Sequence, residues 1–175
     1  QRQRNLIYET RANLLDGAKV EEETLAAIAE ENIESYLDER KTMELPDLNR
    51  YILDNLSYSL DGRIKAEDLA DYGKVKSYLA DCFHHGLDRQ QERIGNRECY
   101  EQFVREATLK AVDDGWVELI DYLEQFKYAV SGRATAQRNI MFEYQNEAFD
   151  LYLDTEKMVK KNIIRNILMS DVKAD

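Results

Sequence analysis

The chain has 175 residues, enough for one domain or two small ones with a buried core. Its formal net charge is −11, from 35 acidic and 24 basic residues, which argues against nucleic-acid binding because that function needs a basic surface. Gly (7) and Pro (1) are scarce, and no apolar run approaches the roughly 20 residues that span a bilayer, so helix is favoured throughout and no transmembrane segment is expected.

The first predicted helix covers about residues 1–15 and ends before Gly17, since glycine suits the C-terminal cap of a helix. It begins without a preceding cap residue, so we expect the chain to be a fragment whose first helix started earlier. A second helix is predicted from about Val20. Its apolar residues fall on one face, at spacings of four, four and three: Leu25, Ala29, Ile33 and Tyr36.

Between about residues 41 and 95 the pattern changes to shorter elements. Pro46 opens a short helix, and a turn follows at residues 60–62, where Asp-Gly interrupts the pattern. Another short helix is predicted to end near Gly86. Short helices with glycine-marked turns indicate a compact subdomain inserted between longer elements.

The last half of the chain has the strongest pattern, which predicts a helix from about Asp88 to Val130. Its apolar residues alternate at spacings of three and four: Leu109, Val112, Trp116, Leu119, Leu123, Phe126 and Val130. Residues 131–139 are small or polar and predict a tight connection to a second long helix. Two long helices joined by a short loop run antiparallel, so the predicted fold is all-α with a long two-helix hairpin.

Four motifs in this chain resemble the SecA family of protein-translocation motors. Residues 109–116, L-K-A-V-D-D-G-W, resemble the L-x-x-[LV]-D-S-x-W stretch of the SecA two-helix finger. In the same register, residues 133–137 match its R-[GA]-Y-A-Q tip and residues 143–149 match its E-Y-x-x-E-[SGA]-F. Residues 3–15 resemble the Q-R-x-x-I-Y-x-x-R-x-x-L-L of the SecA scaffold helix. The span 42–92 matches only in length and helical texture.

The resemblance implies three parts packed into an all-α fold. Residues 1–41 are the end of the long helix of the helical scaffold and its continuation, residues 42–92 are the helical wing domain, and residues 93–175 are the two-helix finger and the scaffold return helix. This segment is expected to be non-catalytic and to bind no cofactor. ATP and Mg belong to the motor domains of the intact parent, which is expected to be a protein-secreting ATPase.

The partners that the resemblance implies are a SecY-type channel, an unfolded preprotein and the motor domains of the same chain. The implied location is cytoplasmic, peripheral to the bacterial cytoplasmic membrane. The finger tip is expected to contact the polypeptide and the channel through Gly132, Arg133, Ala134 and Thr135. The finger seam is expected to consist of Leu109, Val112, Trp116, Leu119, Leu123, Phe126, Tyr144 and Phe149.

Two positions depart from the family pattern at the tip. Thr135 replaces the family's Tyr and offers much less contact area to a passing polypeptide, and Ile140 replaces a Pro. These departures favour a divergent or accessory SecA. The alternative function is a stand-alone helical adaptor that binds a partner protein, and the length of the natural reading frame distinguishes the two.

The sequence gives little support for nucleotide binding, metal binding or a disulfide framework. No G-x-x-x-x-G-K-[ST] loop is present to hold ATP phosphates. Cys82, His84, His85 and Cys99 lack the paired spacing of a zinc site, so we expect no metal here and assign the histidines to a helix end. The two cysteines are too few for a disulfide framework and fit a reducing compartment. Trp116 is expected to be a core residue and not to stack on a ligand.

Overall fold

The computed structural model describes the backbone of residues 2–131 and 140–172 and the side chains of residues 9–129 and 144–172. The described part is all-helical, as predicted. A short 3₁₀ helix, Ala66–Ala70, precedes the fourth α-helix. The α-helices are α1 (Arg2–Leu15), α2 (Glu22–Asp38), α3 (Leu45–Asn55), α4 (Tyr72–Ile94), α5 (Arg97–Ser131) and α6 (Ile140–Met169). None of these helices combines the length and the apolar character that a membrane span requires.

Local sequence signals account for several of the helix ends. After α1, the backbone turns at Gly17, whose φ of 90° is a conformation that glycine adopts at little cost. Pro46 lies in the first turn of α3, where its missing N–H removes no helical hydrogen bond. At the start of α4, the Asp71 carboxylate accepts a hydrogen bond from the backbone N–H of Lys74 at 3.2 Å.

The boundary between α4 and α5 differs from the prediction. The structure has no single helix from Asp88 to Val130, because α4 ends at Gly95, whose φ is 77°. The Asn96 side chain then accepts a hydrogen bond from the N–H of Cys99 at 3.1 Å and caps the start of α5. The predicted helix end at Gly86 is also wrong. Gly86 lies inside α4, where a Cβ would come within 3.0 Å of both Leu168 Cδ2 and the Leu56 carbonyl oxygen.

One hydrophobic core joins α2, α3 and α4 with parts of α5 and α6. Burying each large apolar side chain in it contributes about 1.5–3 kcal/mol relative to exposure. Because the span 42–92 shares this core with the helices on either side, it is packed into the rest of the fold. The largest fully buried apolar side chains are Leu25, Ile33, Leu48, Ile52, Leu56, Val75, Leu79, Phe83, Leu87, Ile167 and Leu168. The domain boundaries at 41/42 and 92/93 stay a prediction.

The α5 and α6 helices form the predicted antiparallel hairpin. At the end of the hairpin that lies in the core, the Asn166 side-chain amide donates to the Ala107 carbonyl at 3.2 Å. Farther out, the rings of Phe126 and Tyr144 stack with their centroids 5.9 Å apart. Residue numbers thus rise along α5 as they fall along α6, and the hairpin leads from the core toward Ser131.

The C-terminal end of α6 is held by α4 and by the loop that follows α3. The fully buried Gln90 donates from Nε2 to the carbonyls of Ile167 at 2.8 Å and Ser170 at 2.9 Å. Arg89 donates to the Leu168 carbonyl at 3.2 Å, and the Tyr58 hydroxyl donates to the Ser170 carbonyl. These bonds satisfy carbonyl groups that the end of a helix leaves without helical partners.

Candidate functional site

The residues predicted to contact polypeptide and channel, Gly132, Arg133, Ala134 and Thr135, lie outside the described residues. The structure does describe the two helices that lead to them, which end at Ser131 and begin at Ile140. The geometry of the candidate site is therefore the geometry of the hairpin that carries the tip.

Seven of the eight predicted seam residues are at least half-buried. Val112 and Leu119 are buried, and the half-buried residues are Leu109, Trp116, Leu123, Phe126 and Tyr144. Phe149 is 51% exposed, unlike the other seven predicted seam residues. It lies five positions after Tyr144, which turns it about 140° around the helix from the ring that stacks on Phe126.

Burial divides the hairpin into two regions. We call residues 97–119 of α5 with residues 155–169 of α6 the root, and residues 120–129 with residues 144–154 the arm. The root contains the hairpin's buried side chains, whereas none of the side chains described in the arm is buried. Large apolar or aromatic side chains in the arm are instead exposed to solvent: Tyr122 (49%), Tyr128 (84%), Phe149 (51%) and Leu153 (40%).

Small residues bring the two helices close together in the root, a feature that the sequence analysis missed. Ala107, Ala111 and Gly115 recur at a spacing of four and so lie on one face of α5. At Gly115 the helices approach so closely that a Cβ added there would lie 2.3 Å from Val159 Cγ2. The spacing of small residues was the available signal, but the larger apolar residues beside them dominated the pattern.

Polar contacts dock α1 along the root. Arg11 Nε donates to Asp113 Oδ1 at 2.7 Å, and Leu14 is buried beneath the helix. In the following loop, Lys19 pairs with Glu101 at 3.3 Å. The hydrogen bond from Lys19, helped by Arg97 and opposed by partial desolvation, lowers the pKa of Glu101 below its ordinary value.

A second set of polar contacts ties α2 to α6. Lys160 Nζ donates to Glu31 at 2.6 Å and pairs with Glu156 at 3.0 Å, and Asn32 donates to the Lys160 carbonyl at 3.0 Å. Burial disfavours the charged ammonium, but the hydrogen bonds to Glu31 and Glu156 outweigh it and raise the pKa of Lys160. Lys160 therefore stays protonated at neutral pH and links the two helices.

Between these two sets of contacts lies an apolar groove of about 480 Å³. Its walls come from α1, α2, the root and the inner end of the arm, and include Leu14, Val112, Trp116, Tyr152 and Val159. Trp116, predicted to be a core residue, is half-buried and lines this groove.

The histidine and cysteine side chains noted in the sequence lie apart from any metal-binding cluster in the described part of the chain. Within residues 9–129 and 144–172, no three His, Cys, Asp or Glu side chains gather where they could hold a metal ion. Cys82 is buried, and burial raises the pKa of its thiol, which lowers its reactivity as a thiolate. His84 and His85 are exposed, and His85 Nδ1 lies 3.4 Å from the Arg63 guanidinium.

These features define an all-helical protein segment in which a shared core supports a long projecting hairpin. The chain matches the SecA Wing and Scaffold domain family over residues 1–171 and belongs to that family. It is similar to the protein translocase subunit SecA 2 of Staphylococcus aureus strains Newman, NCTC 8325 / PS 47 and N315, with 31% identity over 173 residues in each case. The match covers 99% of this chain but 22% of each relative, so the chain spans about a fifth of their length.

Proposed function

We propose that this chain is the non-catalytic scaffold, wing and finger segment of a SecA-type translocase, and that its hairpin presents residues 132–135 to a SecY-type channel and to an unfolded preprotein. ATP hydrolysis, with ATP and Mg, takes place in motor domains elsewhere in the parent protein. The parent acts in the cytoplasm and at the cytoplasmic face of the bacterial membrane.

The observation that carries this proposal is the contrast between the root and the arm. A tip that contacts a moving polypeptide needs a support that holds its direction, and the buried contacts of the root supply one. It also needs to reach beyond the rest of the protein. The arm provides that reach because none of its described side chains is buried, in contrast to the root.

The exposed side chains of the arm suit contact with polypeptides of varied sequence. Tyr122, Tyr128 and Phe149 each offer aromatic area, and the two tyrosines also carry a hydroxyl that can hydrogen-bond. In this proposal these side chains compensate for Thr135, which has little contact area. Similarity to proteins named SecA 2 supports the further proposal that the parent is an accessory SecA with a narrow set of substrates.

A photo-cross-linking experiment tests the contact directly. A photoreactive amino acid replaces Thr135 in the full-length parent, which is then engaged with membranes and a stalled export substrate. We expect adducts with the channel or the substrate. The same amino acid at Glu67, an exposed position in the 3₁₀ helix, is the control and should give neither adduct. If position 135 yields no adduct while the parent still exports, the hairpin only scaffolds or restrains the motor.

Charge reversal at the tip provides a functional test. Arg133→Asp in the parent is expected to reduce export, because it alters a contact residue without touching the described core. Arg165→Asp, the same substitution at an exposed position of α6 in the root, is the matched control and should leave export intact. Equal export by the two variants would contradict the proposed role of the tip and favour an adaptor that binds partners through other surfaces.

A further inference from the structure

Gly115 is a buried glycine in the interior of α5. Glycine at such a position weakens a helix because it loses more backbone freedom on folding than any other residue. If a glycine is needed at this position, the reason is the space that its missing side chain leaves. The atoms that fill this space show which neighbour requires it.

The Val159 side chain of α6 occupies the volume that a Cβ of residue 115 would fill. A Cβ built on Gly115 would lie 2.3 Å from Val159 Cγ2, much closer than two carbon atoms can approach. It would also lie 3.5 Å from Thr155 Cγ2, which is an ordinary contact. The conflict therefore involves one methyl group of Val159 and not the surrounding backbone.

This contact lies close to where the arm leaves the root. Beyond Gly115, α5 continues to Ser131, a length of roughly 24 Å at 1.5 Å per residue. A tilt of about 5° between α5 and α6 at Gly115 would move the far end of α5 by about 2 Å. A small change in the distance between the helices here is thus magnified at the tip.

We propose that Gly115 and Val159 form a size-matched joint that sets the tilt of the arm and so positions the tip for its contact with the channel. This inference rests on the function proposed above. The joint depends on the combined size of the two side chains, a small residue on α5 against a branched one on α6, and not on the identity of either residue alone. Gly115 and Val159 are positioning residues, since they act through the tip.

Three variants of the full-length parent separate size matching from a general need for either residue. Gly115→Ala introduces the conflict with Val159 Cγ2, and Val159→Ala removes the methyl groups and leaves a gap. The double variant pairs two alanines, and the separation of 3.8 Å between the built Cβ and Val159 Cβ is an ordinary contact. Gly73→Ala, at the start of α4, is the matched control because its Cβ would meet only Asp71 Oδ1, at 3.4 Å.

The direct measurement is a distance between spin labels at Lys127, in the arm, and Glu67, in the 3₁₀ helix, both of which are exposed. The labels are attached to cysteines in a parent without other reactive cysteines, so Cys99 is replaced by serine. Export by the same variants, and their thermal unfolding, are measured in parallel to establish that each variant is folded.

The Gly115→Ala variant should shift or broaden the label distance and reduce export about tenfold, which is within the range of equilibrium shifts caused by overpacking. The double variant should restore the label distance and return export to within about twofold of the original. The Gly73→Ala variant should change neither quantity. Without a size conflict, Gly115→Ala would raise the unfolding temperature, because alanine favours helix over glycine.

Two results would overturn the joint: an unchanged label distance in Gly115→Ala, or a double variant no closer to the original than Gly115→Ala. Failure of the proposed function gives a different result. If the label distance shifts and recovers as expected while export stays constant throughout, the joint stands as a structural feature and the contact of the tip with the channel is contradicted.

Discussion

The root and the arm of the hairpin consist of the same two helices, yet only the root is buried. In the root, Ala111 of α5 and Ile163, Ile167 and Leu168 of α6 pack into the core formed with α2, α3 and α4. In the arm, none of the described side chains is buried, and the stacked pair of Phe126 and Tyr144 is only half-buried. Two helices alone cannot enclose a core, so burial depends on a third element.

This difference places the side chains that stabilise the fold and the side chains that a partner can reach in different parts of the same hairpin. The root obtains its rigidity from side chains that solvent does not reach, and these side chains are unavailable to a partner. The arm leaves aromatic area available to a partner, and it contributes correspondingly less to folding. The hairpin therefore distributes buried support and accessible surface along its length.

The largest expected effect comes from making the same substitution in each region. Leu168→Ala in the root removes a fully buried side chain and should lower the free energy of unfolding by about 2.5–5 kcal/mol. Leu123→Ala in the arm removes a half-buried one and should lower it by about 1 kcal/mol. Urea denaturation of the chain measures both values. Equal losses would show that the arm is as important to folding as the root, which would contradict the distinction.

A smaller effect is expected where α1 docks on the root. Asp113→Asn removes the ion pair with Arg11 at 2.7 Å and should cost about 0.5–1 kcal/mol, since both side chains are partly exposed. Hydrogen exchange should accelerate in α1. Asp114→Asn, which removes only a pair with Lys110 within α5, is the matched control and should leave exchange in α1 unchanged. Equal exchange in the two variants would mean that α1 is held by apolar contacts such as that of Leu14.

The smallest effect concerns a turn outside both regions that is held by exposed polar groups. Partial burial raises the pKa of Asp61, but hydrogen bonds from the Tyr78 hydroxyl at 2.6 Å and from Arg63 outweigh it, so the pKa lies below the ordinary 3.8. A lowered folded-state pKa stabilises the protein above the ordinary pKa, and this contribution is lost as the pH falls through the folded-state value.

The difference in urea midpoint between the original chain and Asp61→Asn should therefore be constant above about pH 5 and shrink steadily below about pH 4. Tyr78→Phe removes one donor to Asp61 and brings its folded-state pKa closer to the unfolded one, so in that background the total decrease should be smaller and should end at a higher pH. A difference that does not change between pH 6 and pH 3 would mean that Asp61 has the same pKa in the folded and unfolded chain.

Much of the fold could be predicted from the sequence because helix periodicity and turn residues are local signals. The all-α class, the antiparallel hairpin and the end of α1 before Gly17 are confirmed. The boundary between α4 and α5 was missed because Gly86 and Gly95 look alike in sequence. Gly95 ends a helix through its positive φ, whereas Gly86 lies in one and makes room for Leu168. Only the packing partner distinguishes them.

The candidate site was predictable to a lesser degree. The large apolar residues predicted for the seam on α5 are buried or half-buried, whereas Phe149 of α6 is exposed. A close approach of the two helices is at Gly115, a residue without a side chain. Hydrophobic patterns do not register such a position, since its effect depends on Val159, which lies 44 residues away along the chain.

The hydrogen bonds at the end of α6 have a mechanical consequence. Helix α4 leads into α5 through Gly95. It also binds the last carbonyls of α6 through Arg89 and Gln90, so both helices of the hairpin are anchored to the same helix. A pull along the hairpin axis loads these bonds together in shear, whereas a sideways push bends the uncovered arm. Displacement of the hairpin along its axis is therefore resisted at the α4 end of both helices, whereas bending of the arm leaves these hydrogen bonds in place.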